Sequence, residues 1–200
     1  MELFKPIMIN ALYLLALLNP VSKVSVLSAM APSEEPSVLR GVVVESTLVA
    51  GAILLSVMLF GNFVLQDIFH VQIYSLRVAG GAVLFITGLN ALRKGVFFEQ
   101  DVHSRFADMA IVPLACPLIA GPATIAASLT LTTHVDKLPL ILSLAVALVL
   151  NALIMLTSRQ VSRVLLHFNV LGALIRITGL VVMAIGVQMV LDGCGNWLAE

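Results

Sequence analysis

Residues 9–31 read INALYLLALLNPVSKVSVLSAMA, and residues 109–132 read MAIVPLACPLIAGPATIAASLTLT. Both stretches are apolar over about the 20 residues that a helix needs to cross the hydrocarbon of a bilayer. Both are interrupted, at Asn19-Pro20 and at Gly121-Pro122. Inside a helix, proline removes one backbone hydrogen bond and its ring clashes with the carbonyl four residues back. In lipid that loss must be repaired within the protein. At the first position of a helix, however, the missing N–H costs nothing, and Asn or Gly ahead of it is a favoured cap. The spacing therefore predicts two broken helices, with new half-helices running from Pro20 to Ala31 and from Pro122 to about Thr132. The freed carbonyls are those of Ala16 and Leu118, and Pro117 frees that of Pro113.

Working outward from these stretches, the whole chain reads as membrane-embedded. Of its 200 residues 60% are hydrophobic and 11% charged, against roughly 45–50% and 25% in a soluble protein. A soluble domain could not cover that much apolar surface, whereas lipid solvates it. Six apolar runs stand out, at about 6–31, 41–65, 71–92, 109–132, 138–157 and 171–191. The expected fold is all-α: a single transmembrane domain over residues 1–200 with six transmembrane helices, of which the first and fourth are broken. Ala29-Met30-Ala31 imitates a signal-peptidase site, but Asn19-Pro20 and Lys23 inside the run favour its retention as the first span. The formal net charge is zero, so no nucleic acid or other charged macromolecule is expected as a partner. The expected partners are the lipid bilayer and a small-molecule substrate.

The third and sixth runs align at a shift of 99 residues, which matches Arg77 with Arg176, Gly80 with Gly179 and Leu92 with Leu191. The first and fourth align at a shift of 102, which matches Pro20 with Pro122 and pairs Ser22 with Thr124. Three spans per unit force the second copy to enter from the opposite side. The predicted fold is thus two inverted three-helix repeats, about 1–95 and 109–195. Connections after the odd spans carry Arg40, Arg93, Lys94, Arg105, Arg159 and Arg163, against Lys5 and Lys137 on the other side. The positive-inside rule then places both termini outside, with Trp197 as an interfacial anchor.

A half-helix N-terminus carries about half a positive charge and unpaired N–H groups, which suit an anionic group. Broken helices at matching places in inverted halves are the sequence feature that points to a transporter's central site. The candidate substrate-binding residues are Asn19, Pro20, Ser22, Ser25, Gly121, Pro122, Thr124 and Ser128. Ionisable groups inside a span cost at least about 2.5 kcal/mol on insertion scales. Lys23 and Glu45 fall in the same half of the membrane, where they would either form an intramembrane ion pair or snorkel separately to the interface. Arg77 and Arg176 read as anchors at helix starts, and Gly80, Gly81 and Gly179 as small residues that allow close helix packing. Asn62, Asn90, Asn151, Thr87 and Gln188 would line a polar path or bond between helices. His70, His103, His134 and His167 lack ligand spacing, so no metal site and no cofactor is expected. Cys116 and Cys194 read as free thiols.

Leu18-Asn19-Pro20-Val21, Val112-Pro113-Leu114-Ala115-Cys116-Pro117-Leu118-Ile119-Ala120-Gly121-Pro122, Leu76-Arg77-Val78-Ala79-Gly80-Gly81 and Gly186-Val187-Gln188-Met189-Val190-Leu191-Asp192-Gly193 resemble the motifs of spans 1, 4, 3 and 6 of the MarC family of bacterial and archaeal membrane proteins. The resemblance covers nearly the whole chain. It implies a six-span protein of the inner membrane, with some members grouped as transporters of small neutral amino acids such as glycine and alanine. After Asn-Pro, many members have Gly-Asn and then Pro, where this chain has Ser22, Lys23 and Ser25. The expected function is secondary transport of a small neutral amino acid coupled to H+ or Na+, a choice the residues do not make. A scaffold or an ion-conducting pore is the alternative. An intramembrane enzyme is not expected, because H-E-x-x-H and G-x-S-x-G signatures are absent.

Overall fold

The computed structural model describes residues 4–30, 35–95, 115, 119–158, 160 and 171–198. Among them every regular element is helical. In chain order these are α1 (Phe4–Leu18), α2 (Pro20–Met30), α3 (Pro36–Asn62, continued by a π-helical turn Phe63–Ile68), α4 (Ile73–Lys94), α5 (Pro122–Thr132), α6 (Lys137–Leu156) and α7 (Leu171–Leu198). Most of the first half of the fourth apolar run, Cys116, and most of the links 93–108 and 158–169 lie outside the described residues.

Four helices are long and apolar enough to cross a membrane by themselves: α3 with its π turn, α4, α6 and α7. α1, α2 and α5 hold 15, 11 and 11 residues. At 1.5 Å per residue the last two reach only about 16 Å, roughly half of a bilayer. Their shortness follows from the prolines, as the sequence predicts. α3 begins five residues before the apolar run expected at 41, because Pro36 takes the first helical position after an extended Glu35 and so starts the helix within the turn. α4 ends where Gly95 adopts a φ of 69° and donates its N–H to the Ala91 carbonyl at 3.0 Å. Arg93 and Lys94 occupy its last turn, where cations complement the helix dipole.

α4 and α7 form the closest pair. Gly81 meets Gly186, Gly88 meets Gly179, and Gly193 meets Tyr74 and Val78, so the two helices run antiparallel. A β-carbon at Gly88 would stand 2.5 Å from the Gly179 carbonyl oxygen, and one at Gly186 2.6 Å from that of Gly81. In lipid there is no water to expel between helices, and backbone approach through small residues supplies the packing energy instead. Gly80 faces the other way, onto the first turn of α5, where a β-carbon would lie 2.7 Å from Ala126 Cβ and 3.3 Å from the Pro122 carbonyl oxygen. α4 is thereby held between α5 and α7.

The interior divides into two apolar clusters. One joins α1, α2, α3 and α6 through Leu14, Leu27, Leu54 and Leu148; the other joins α1, α4, α5 and α7 through Leu17, Leu84, Ala126 and Val182. Outward faces carry Leu48, Phe60, Leu153, Ile177 and Leu191, all more than half exposed. Such a surface is stable only against lipid. Trp197 is exposed near the end of α7.

Candidate functional site at the proline breaks

At the first break one residue serves two helices. Asn19 lies at φ 50°, the left-handed region that asparagine tolerates better than other residues with a β-carbon. It ends α1 by donating its N–H to the Leu15 carbonyl at 3.0 Å. Its own carbonyl then accepts from the Ser22 N–H at 3.2 Å and from Ser22 Oγ at 2.7 Å, while its Oδ1 faces the same N–H at 3.4 Å. Pro20 fills the first position of α2, where no donor is needed. Asn19→Gly is expected to keep the fold, because glycine accepts this φ. Asn19→Ala should cost about 1–2 kcal/mol through strain and the lost cap, read as a lower unfolding midpoint in detergent.

The second break is built differently. Gly121 is extended at φ −82° and ψ 166°, Pro122 takes the first position of α5, and no side chain caps the helix. The N–H groups of its first turn are therefore without a side-chain cap, which is the arrangement that receives an anionic group. Ahead of it, the Ala120 N–H reaches the Ala115 carbonyl at 2.8 Å.

The two breaks share their surroundings. Leu14 and Leu18 before the first lie in one cluster with Ala115, Ile119 and Ala120 before the second. Leu17 lies in the other cluster with Ala123, Ala126 and Ala127 of α5. Of the residues predicted for the site, Asn19, Ser22, Gly121, Thr124 and Ser128 are buried, Pro20 is half-buried and Pro122 is exposed. Ser25 lies on α2, with its side chain outside the described residues. Ser128 Oγ is enclosed without a hydrogen-bond partner.

The expected Lys23–Glu45 ion pair does not form. Lys23 is 0% exposed and its Nζ has no hydrogen-bond partner, whereas Glu45 is exposed. Glu45 points away from the core that Val42, Val43 and Ser46 of the same helix enter. Arg77 also departs from its expected role as an interfacial anchor. It is buried and donates from Nε to Thr130 Oγ1 at 3.1 Å, while Arg176 is exposed. Tyr13 lies within electrostatic range of Arg77 and of Asp192, the latter held by Gln188 Nε2 at 2.8 Å.

Of the polar residues expected to line a path, Thr87 bonds the carbonyl of Val83 in its own helix and Gln188 is exposed. Asn62 reaches Thr132 Oγ1 at 3.1 Å, and Asn151 is buried, yet both leave Oδ1 without a partner. Ser158 is a further buried hydroxyl without a partner. It has no signal in the sequence, because it sits at the edge of a polar link. No group of three or more His, Cys, Asp or Glu occurs among the described residues, and Cys194 is free and exposed.

The chain is similar along its length to membrane proteins of archaea and bacteria. A UPF0056 membrane protein of Pyrococcus horikoshii is 35% identical over 194 residues, 97% of this chain and 96% of the relative. One of Methanocaldococcus jannaschii is 30% identical over 190 residues, covering 89% of this chain and 90% of the relative. The UPF0056 inner membrane protein YhgN of Escherichia coli K12 is 28% identical over 193 residues, 94% and 95% of the two chains. No solved structure matches. The profile described as MarC family integral membrane protein matches residues 4–198; with the broken helices and the glycine-packed pair in view, the chain belongs to the MarC family.

Proposed function

We propose that this protein is a secondary transporter of small neutral amino acids, with its site between the two proline breaks. The observation that carries the reading is the pair of half-helices, α2 and α5, whose starts adjoin shared apolar clusters and carry the buried Asn19, Ser22, Gly121 and Thr124. An uncapped helix start offers N–H donors to a carboxylate. The hydroxyls of Ser22, Thr124 and Ser128, with freed carbonyls, suit an ammonium. No chemical change of the substrate is proposed, and H+ or Na+ would supply the drive.

In this reading α1 with α2, and the 109–132 run that ends in α5, complete six spans in the inner membrane with both termini outside. The glycine pairs support an inverted repeat. A shift of 98 residues carries Gly81 onto Gly179 and Gly88 onto Gly186, so the contact Gly81–Gly186 maps onto Gly88–Gly179. An inverted repeat exchanges contacts across its pseudo-two-fold axis in this manner. That register differs by one residue from the 99 that aligns Arg77 with Arg176.

The test is uptake of labelled glycine and alanine into proteoliposomes under imposed H+ or Na+ gradients. Gradient-driven accumulation that saturates is the expected result. Unsaturable ion flux would indicate a pore, and no flux of any solute a scaffold; either would overturn the proposal.

A further inference from the structure

Among the described residues, Lys23 is a buried cation with no partner for its charge. It lies in the second turn of α2, 0% exposed, with no hydrogen-bond partner for Nζ. Lysine is almost never fully buried unless paired, and withdrawing an ion from water costs several kcal/mol even after relaxation. α2 itself contains no acid. It packs on α6 and α7. α6 contains no acid between Lys137 and Leu156, and the single acid of α7, Asp192, is exposed and held by Gln188. Glu45 faces outward. The other buried cation, Arg77, donates to Thr130 Oγ1; Lys23 has nothing equivalent.

Its position says what would complete it. Lys23 stands within one turn of the break at Asn19-Pro20, at the end of α2 where the helix dipole adds about half a positive charge and toward which helical side chains incline. α6, packed against α2, carries one more buried polar atom without a partner, Asn151 Oδ1, and Ser158 Oγ just beyond the end of α6 is another.

We infer that Lys23 is the positive pole of a buried anion site at the start of α2, and that the group it takes is a single small carboxylate. One ammonium with one helix end matches a monoanion, and no guanidinium fork for a phosphate stands beside it among the described residues. The inference deepens the transport reading and rests on it for the identity of the carboxylate as the substrate's own; the site is tested without transport.

The experiment is thermal unfolding of the purified protein in phosphatidylcholine nanodiscs, with ionic strength held by sodium methanesulfonate. Acetate and alanine are each expected to raise the midpoint by at least about 2 °C at saturation, while ethylammonium, chloride and inorganic phosphate leave it unchanged. Lys23→Met is expected to raise the midpoint without ligand and to abolish both responses; Lys23→Gln, which keeps a polar end, should abolish them too. Lys23→Arg should retain a response to acetate. A carboxylate response preserved in Lys23→Met or Lys23→Gln, none in the wild type, or an equal response to chloride or phosphate overturns the assignment. Carboxylate responses without uptake in proteoliposomes would sink the transport reading and leave the site; alanine uptake unaffected by Lys23→Met would do the reverse.

Discussion

Gly88→Leu should leave little folded protein, and Gly186→Leu should do the same from the other helix. A β-carbon at Gly88 would already stand 2.5 Å from the Gly179 carbonyl oxygen, 2.7 Å from the Met183 nitrogen and 2.8 Å from Met183 Cβ. At Gly186 the corresponding atoms are the Gly81 carbonyl oxygen at 2.6 Å and the Phe85 nitrogen at 2.7 Å. All three neighbours of Gly88 are backbone atoms or a β-carbon fixed to the backbone, so no rotamer change relieves the clash. The helices must separate, and the packing between them is lost along its length. Overpacking a tight site costs typically about 1–3 kcal/mol and sometimes more. Here the loss of the close α4–α7 approach comes on top, which places each variant above about 3 kcal/mol. The double variant should cost less than the sum, because helices already parted at one contact accommodate the second. Gly172→Leu is the control, since nothing lies within 4 Å of its β-carbon; it should stay within about 0.5 kcal/mol. Unfolding midpoints in detergent measure all four. A Gly88→Leu protein that melts with the wild type would refute the packing scheme.

That contact also shows where a sequence of this kind stops being readable. The glycines themselves are visible, and the need for close packing follows from them. Their partners are not, because aligning Gly80 with Gly179 by residue type gives a register of 99, one away from that of the glycine contacts. The half-helix starts are legible because proline acts locally: its missing N–H and the cap before it identify residues 20 and 122 without any tertiary information. Burial of individual side chains is not local. In a soluble protein the polar face of a helix marks the outside, but here lipid and core are both apolar, and the periodicity that would orient a helix fades. Hence Glu45 and Lys23 read as a pair although one is exposed and the other buried, and Arg77 reads as an anchor although it is buried against Thr130 of α5. Asn151 and Ser158 are ordinary residues until the neighbouring helices enclose them. The two breaks are thus legible in the sequence, whereas Lys23 reads there as half of an ion pair with Glu45 and its unanswered charge does not show.

The second large effect belongs to the break that lacks a cap. Joint replacement of Gly121 and Pro122 by leucine gives residue 122 an N–H and removes the ring that starts α5, so the helix can run back toward Ala120. In lipid a continuous helix satisfies its backbone at least as well as a broken one, and the protein should still fold and insert. What disappears is the free helix start. A charge at such a terminus gains up to about 2 kcal/mol, and hydrogen bonds to a charged group contribute about 1.5–3 kcal/mol each. Losing the dipole and one such bond is about 3 kcal/mol, which corresponds to roughly a hundredfold in affinity. Uptake of glycine and alanine at low concentration should therefore fall by about that factor, with the unfolding midpoint held or raised. Pro122→Ala alone should cost less, because Gly121 still favours an extended start over helix continuation. The same joint change at Asn19 and Pro20 would also remove the left-handed turn that ends α1, so it should lower the midpoint as well as uptake. A fall in uptake matched by loss of folded protein would trace the effect to stability. Uptake unchanged in a well-folded Gly121→Leu, Pro122→Leu protein would remove the second break from the site and leave Lys23 and the first as its only pole.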